Sequence, residues 1–299
     1  MPHLYDAVLL IAFGGPTCPE EIRPFLARVT QGLPIPPQRL EAVAHHYEAV
    51  GGKSPLNEIT LRQAKALQAA LTDQLPVYVG MRNAAPFFNE TLKQMAADGV
   101  KRALGFILSS HRTEASWERY QKNIADARAE IAGGAPEVDY CDGWHGHPRF
   151  IQGWVELIEM AASGSKAPLI FTAHSLPIAM AARSPYVEQL TASARLIAAQ
   201  LNHTNWSLAY QSRSGRPSDP WLEPDIGDAI RKLAAEGHKQ VIVAPIGFVC
   251  DHVEVLYDLD IEAKKIADNL GVELIRASCP NDHPTFIRMI ADMIGRSMK

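Results

Sequence analysis

ETLKQMAADGVKRALGFIL, Glu90 to Leu108, and GDAIRKLAAEGHKQVIVAPI, Gly227 to Ile246, repeat one local plan. Each runs as a helix, an acidic-Gly stop at Asp98-Gly99 or Glu236-Gly237, a basic turn and a buried strand. Glycine fits the stop because it enters the left-handed backbone region without a Cβ penalty. Working outward, LLIAFGGP, ending at Pro16, lines up with IFTAHSLP, ending at Pro177. The spacing predicts a duplicated Rossmann-like unit. Elsewhere short apolar runs bounded by Gly, Pro or polar turns alternate with helical periodicity, the pattern of βα units in a parallel sheet.

Strands are expected at Ala7 to Phe13, Val77 to Met81, Ala103 to Leu108, Pro168 to Ala173, Ser207 to Gln211, Val241 to Gly247 and Glu273 to Ala277. Helices are expected at Glu20 to Thr30, Pro37 to Val50, Ile59 to Thr72, Phe87 to Asp98, Trp117 to Ile131, Arg149 to Ala162, Pro185 to Gln200, Pro224 to Glu236 and His283 to Met298. The fold class is therefore α/β: two similar Rossmann-like domains, 1–145 and 146–282, each a parallel sheet flanked by helices, with a cleft between them. The boundary zone is Gly134 to Lys166, and the final helix, about 283–299, is expected to pack back on the first domain.

Composition excludes several classes. The chain has 299 residues, 47% hydrophobic and 21% charged, and no run near the roughly 18 apolar residues of a membrane span. A formal charge of −4 with both signs interspersed leaves no basic face for nucleic acid. The opening MPHLYDAVLLIAFGG reads as a first strand, lacking the basic region and cleavage site of a signal peptide. Cys18, Cys141, Cys250 and Cys279 are widely spaced, so disulfides, structural zinc and iron–sulfur clusters are not expected, and a reducing cytoplasm is.

In open α/β sheets ligands lie beyond the carboxyl ends of strands. That selects Phe13 and Gly14, Ser109 to Arg112, His174 and Ser175, Gln211 to Arg216, and Cys250 to Glu254. His174, which occupies the place of Phe13 in the second copy, suits proton transfer or metal ligation, or simply a hydrogen-bonded loop. After it, Glu254, Asp258 and Glu262 recur every four residues. On a helix they form a carboxylate ladder that repels itself unless cations or protons intervene. The bland alternative is a solvated acidic stripe. Val253, Val255, Leu256, Leu259 and Ile261 argue for a buried upper end instead.

FTAHSLP, SPYVEQL, AYQSRSGRPSDPWLEPD, PIGFVCDHVEVLYDLDIEA, HHYEAVGGKSPLNEIT and VGMRNAAPF together resemble ferrochelatase motifs in ferrochelatase order across nearly the whole chain. The resemblance implies a chelatase-type two-domain fold with a porphyrin cleft, and insertion of Fe²⁺ into protoporphyrin IX, with coproporphyrin III as the alternative. It implies His174 and Glu254 as metal-binding or proton-accepting groups, with Asp258 and Glu262 as outer metal-supply carboxylates. Phe13, His46, Tyr47, Ser54 and Tyr120 match porphyrin-contacting positions, although core or turn roles fit Ser54 and Tyr120 equally. An arginine often stands in the family where His46 stands here. Phe13, Thr30 and Asn83 depart from a tyrosine, an arginine and a histidine of the coproporphyrin subgroup.

No cofactor beyond substrate Fe²⁺ is implied, and the expected partners are a porphyrin and ferrous iron, with the chain a monomer. An apolar cleft lip could touch a membrane surface transiently to collect protoporphyrin. Competing readings are a cobalt or nickel chelatase for a more reduced tetrapyrrole and a non-catalytic tetrapyrrole-binding protein. His145 and His147 read as loop residues, Arg213 and Arg216 as either substrate-carboxylate contacts or loop pins, and Ser175 lacks a nucleophile elbow.

Overall fold

A computed structural model describes residues 4–32, 35–71, 75–214 and 219–298. Arg216, its neighbouring Gly215 and the helix end expected at Thr72 lie outside them. The first sheet has the order β2-β1-β3-β4, built from β1 (Ala7–Ala12), β2 (Val77–Met81), β3 (Arg102–Ile107) and β4 (Glu137–Tyr140). The second has the order β6-β5-β7-β8, built from β5 (Leu169–His174), β6 (Trp206–Gln211), β7 (Gln240–Ala244) and β8 (Glu273–Arg276). All pairings are parallel. The duplication thus extends to strand order.

Equivalent turns repeat as well. The Met81 N–H donates to the Pro86 carbonyl at 2.8 Å after β2, and the Tyr210 N–H to the Pro224 carbonyl at 2.9 Å near the end of β6. One difference matters for the site. Leu108 N–H reaches Ile11 O at 2.9 Å, whereas in the second copy Gly247 N–H reaches Thr172 O at 3.0 Å, one residue later in register. The extra residue pushes the chain against β5: a Cβ on Gly247 would lie 2.4 Å from Ala173 Cβ. Only glycine permits that approach.

The helices are α1 (Pro19–Val29), α2 (Pro37–Ala49), α3 (Leu56–Ala70), α4 (Phe88–Ala97), α5 (Arg119–Ala129), α6 (Pro148–Ala162), α7 (Ile178–Ala181), α8 (Tyr186–Gln200), α9 (Ile226–Ala235), α10 (Val253–Leu256), α11 (Lys264–Asn269) and α12 (Pro284–Ser297). Among the described residues none is long and apolar enough to cross a membrane. A π-helical turn, Asp258–Ala263, joins α10 to α11, so the ladder segment is helical throughout.

Strand β4 goes beyond the strands expected from sequence, because EVDY offers only Val138 and Tyr140 as apolar residues and lies at a sheet edge, where no continuous hydrophobic run is required. It and α6 occupy the stretch read as a boundary zone. One apolar cluster runs from Leu10 and Phe106 of the first sheet through Trp144, Phe150, Trp154 and Phe286 to Phe171 of the second. Helix α12 packs on both α6 and α3. A separate small cluster, Ile22, Phe25, Leu26, Ala44, Tyr47 and Val253, joins the α1–α2 hairpin to α10.

Candidate active site

His174 ends β5 in register with Gln211 of β6. Its Nδ1 bonds the Ser175 carbonyl, and a carbonyl oxygen only accepts, so Nδ1 carries the proton. The lone pair is left on Nε2, which lies 3.7 Å from Glu254 Oε1. The side chains are 31% and 41% exposed, so both remain reachable from the cleft. Tyr186 donates its hydroxyl to the His174 carbonyl at 3.0 Å, bracing the strand end.

Glu254 stands in the first turn of α10. Its N–H donates to His252 Nδ1, the helix cap, at 3.1 Å, and its carbonyl accepts from Gln211 Nε2 at 2.6 Å. Burial pushes the His252 pKa down and favours the neutral ring that this cap requires. The carboxylate is thus carried on backbone pinned from both sides.

Along the helix, Asp258 is 8% exposed and accepts from the Ser212 hydroxyl. Burial pushes its carboxyl up to about 7, with the Ser212 bond opposing and the charges of Glu254 and Glu262 adding to the rise. Glu262 is raised by burial and by Asp225. A cavity of about 60 Å³ lies between Gln211, Ser212, Asp225, Asp258 and Glu262. Among the described residues no three His, Cys, Asp or Glu side chains are grouped closely enough to hold a metal. The arrangement is therefore a two-residue station followed by two spaced carboxyls whose pKa burial raises. It can receive protons at His174 and Glu254 and present oxygens in succession to a hard cation.

The aromatic candidates gather at the α1–α2 hairpin. Phe13 meets Phe25 edge-on at 6.2 Å, and Phe25 meets Tyr47 at 5.9 Å. Tyr47 is buried beside Val253, and burial with the Glu254 charge keeps its phenol protonated. His46 stacks on Tyr257 at 3.7 Å and 10°, and burial pushes its pKa down to about 4, so it is uncharged at neutral pH.

Two sequence candidates lie elsewhere. Ser54 is buried with its N–H on the Pro16 carbonyl at 2.8 Å and its Oγ accepting from Leu56 N at 3.3 Å, a turn contact. Tyr120 is buried edge-on against Phe88 at 6.4 Å, under the other face of the first sheet. Arg213 donates to the Asp219 carbonyl at 2.8 Å within its own loop. The Ser175 hydroxyl is tied to the Leu222 carbonyl at 2.9 Å, and His147 caps α6. Tyr186, His252 and Asp225 were assigned no role from sequence. All three stand in quoted segments, SPYVEQL, PIGFVCDHVEVLYDLDIEA and AYQSRSGRPSDPWLEPD, yet nothing local announces that Asp225, the α9 cap, faces Glu262.

The ferrochelatase family profile matches residues 5–298. A coproporphyrin III ferrochelatase of Mycobacterium leprae is 44% identical over 97% of this chain and 89% of its own length. One of Mycobacterium avium is 45% identical over 97% and 87%, and a ferrochelatase of Rhodopirellula baltica 42% identical over 97% and 85%. In fold the chain is similar to SirB from Bacillus subtilis with Fe³⁺, with a TM-score of 0.63 at 9% identity over 98% of this chain and 95% of that one. CbiX, the terminal enzyme for biosynthesis of siroheme in denitrifying bacteria, gives 0.61 at 17% over 98% and 100%. The chain, an α/β protein of the two-sheet chelatase fold, belongs to the ferrochelatase family.

Proposed function

We propose that this ferrochelatase inserts Fe²⁺ into coproporphyrin III, with His174 and Glu254 taking the two pyrrole protons or contacting the arriving iron, and Asp258 and Glu262 supplying it. The observation that carries the site assignment is the His174 Nε2–Glu254 pair, 3.7 Å apart at the mouth of a graded carboxylate helix. Phe13, His46 and Tyr47 form the apolar wall for the ring, and Ser54 and Tyr120 serve it indirectly, by shaping the turn and sheet behind that wall. Of the two porphyrins weighed from the sequence, protoporphyrin IX first, the names of the relatives at 44–45% identity favour coproporphyrin III. That support outweighs the departures at Phe13, Thr30 and Asn83.

Coproporphyrin carries four carboxylates and protoporphyrin two, so the former needs no membrane to reach the cleft. The reading therefore places a monomeric enzyme in the cytoplasm, dividing at 145/146 into two domains, with no resident cofactor or iron–sulfur cluster. Transient membrane contact belongs to the protoporphyrin alternative. An anaerobic assay with Fe²⁺ and each porphyrin, followed by absorbance, tests this. The expected result is a larger kcat/KM with coproporphyrin III. The reverse ratio returns the assignment to protoporphyrin IX, and no turnover with either removes it.

A further inference from the structure

Along one face, helix α2 meets both the metal-side helix and the loop that follows β6. His46 stacks on Tyr257, the residue before Asp258. Seven residues earlier, two turns along the same face, Arg39 reaches across the cleft and donates from Nη2 to the Arg213 carbonyl at 3.2 Å. Arg213 directly follows Ser212, whose hydroxyl holds Asp258. The Arg39 guanidinium is thus held against the loop that carries Ser212, and among the described residues it makes no ion pair of its own. Among the described residues its Nε is sealed from solvent without a hydrogen-bond partner, an arrangement that costs stability unless nearby negative charge offsets it. Among the described residues, Arg39 is the cation whose field opposes the rise of both Asp258 and Glu262.

We propose that Arg39 is a positioning and selectivity residue: a resident counter-cation that compensates the outer carboxylates and opposes a divalent cation arriving at them. This rests on the reading that Asp258 and Glu262 receive the metal. The physical basis is that two carboxylates in a partly desolvated pocket need positive charge, and a guanidinium anchored by one carbonyl bond supplies it reversibly. Iron arriving with two charges replaces one. The neutral His46 adds no cation to that face.

The test is Co²⁺ binding to the porphyrin-free protein, by calorimetry, in wild type, Arg39→Gln and Arg39→Lys, with porphyrin affinity measured separately by fluorescence quenching. Removing the charge is expected to tighten Co²⁺ by about three- to tenfold at low ionic strength. Arg39→Lys, which keeps the charge, stays within about twofold of wild type, and porphyrin affinity is unchanged in both. Unchanged or weaker Co²⁺ binding in Arg39→Gln overturns the proposal. So does tightening in Arg39→Lys equal to that in Arg39→Gln, which would assign the effect to the lost Arg213 contact. A fall in porphyrin affinity with Co²⁺ unaltered would make Arg39 a substrate-carboxylate contact and also overturn it. If wild type binds no Co²⁺, this proposal fails, while turnover with Fe²⁺ separately decides whether the ferrochelatase reading stands.

Discussion

The His174 lone pair faces Glu254 because the other ring nitrogen, Nδ1, keeps its proton and donates it in a hydrogen bond to the Ser175 carbonyl. On the proposed roles, losing either side chain leaves a proton or the metal without its receiver. His174→Ala and Glu254→Ala are each expected to lower kcat by roughly 10²–10⁴-fold with circular dichroism unchanged. Substantial activity in either variant removes that residue from the mechanism. Asp258 makes a separate prediction in the metal-free protein. Its folded pKa of about 7 lies above the unfolded value near 3.8, so the native state holds the proton longer. Stability falls as pH rises through that interval and is level above it. Asp258→Asn should therefore stabilise the protein more at pH 8 than at pH 5, by on the order of 2 kcal/mol. Equal shifts in thermal midpoint at the two pH values would contradict the raised pKa of the buried carboxyl.

At the scale of elements, the bend after β7 delivers Glu254 to His174. It depends on Gly247, whose added Cβ would meet Ala173 Cβ at 2.4 Å and its Cα at 2.7 Å. Backbone, not a flexible side chain, blocks the space. Gly247→Ala should cost about 1–3 kcal/mol of stability, read by thermal unfolding, and lower kcat more than the KM for porphyrin. A variant as active and stable as wild type would show that the bend tolerates a methyl group. The π-helical turn at Asp258–Ala263 continues α10 into α11, with the Glu262 N–H on the Tyr257 carbonyl at 3.0 Å, and so keeps Asp258 and Glu262 on one helical run.

On the scale of the molecule, the two sheets share a core. Trp144 stacks on Phe106, meets Phe150 edge-on and tilts against Phe286, which α12 brings from the far end of the chain. Calorimetry should therefore show one cooperative transition for both sheets. Phe286→Ala, removing a side chain 1% exposed, should lower stability by about 3–5 kcal/mol while keeping that single transition. Two resolved transitions in wild type would mean that each sheet holds its own stability.

The sequence by itself determined the class of fold. Buried strands such as Ala7–Ala12 and Leu169–His174 announce themselves as apolar runs, and Gly99 and Gly237 mark helix ends, because both signals arise within a few residues of chain. It also determined the four-residue spacing of Glu254, Asp258 and Glu262 and the strand-end position of His174. Only the tertiary structure decided what those residues face. β4 was invisible because an edge strand needs no hydrophobic run. Arg39, Asp225 and Gln211 meet the ladder from distant segments, and Ser54 and Tyr120 turn into the core, because burial and charge contact depend on how the two sheets pack, which no local pattern encodes.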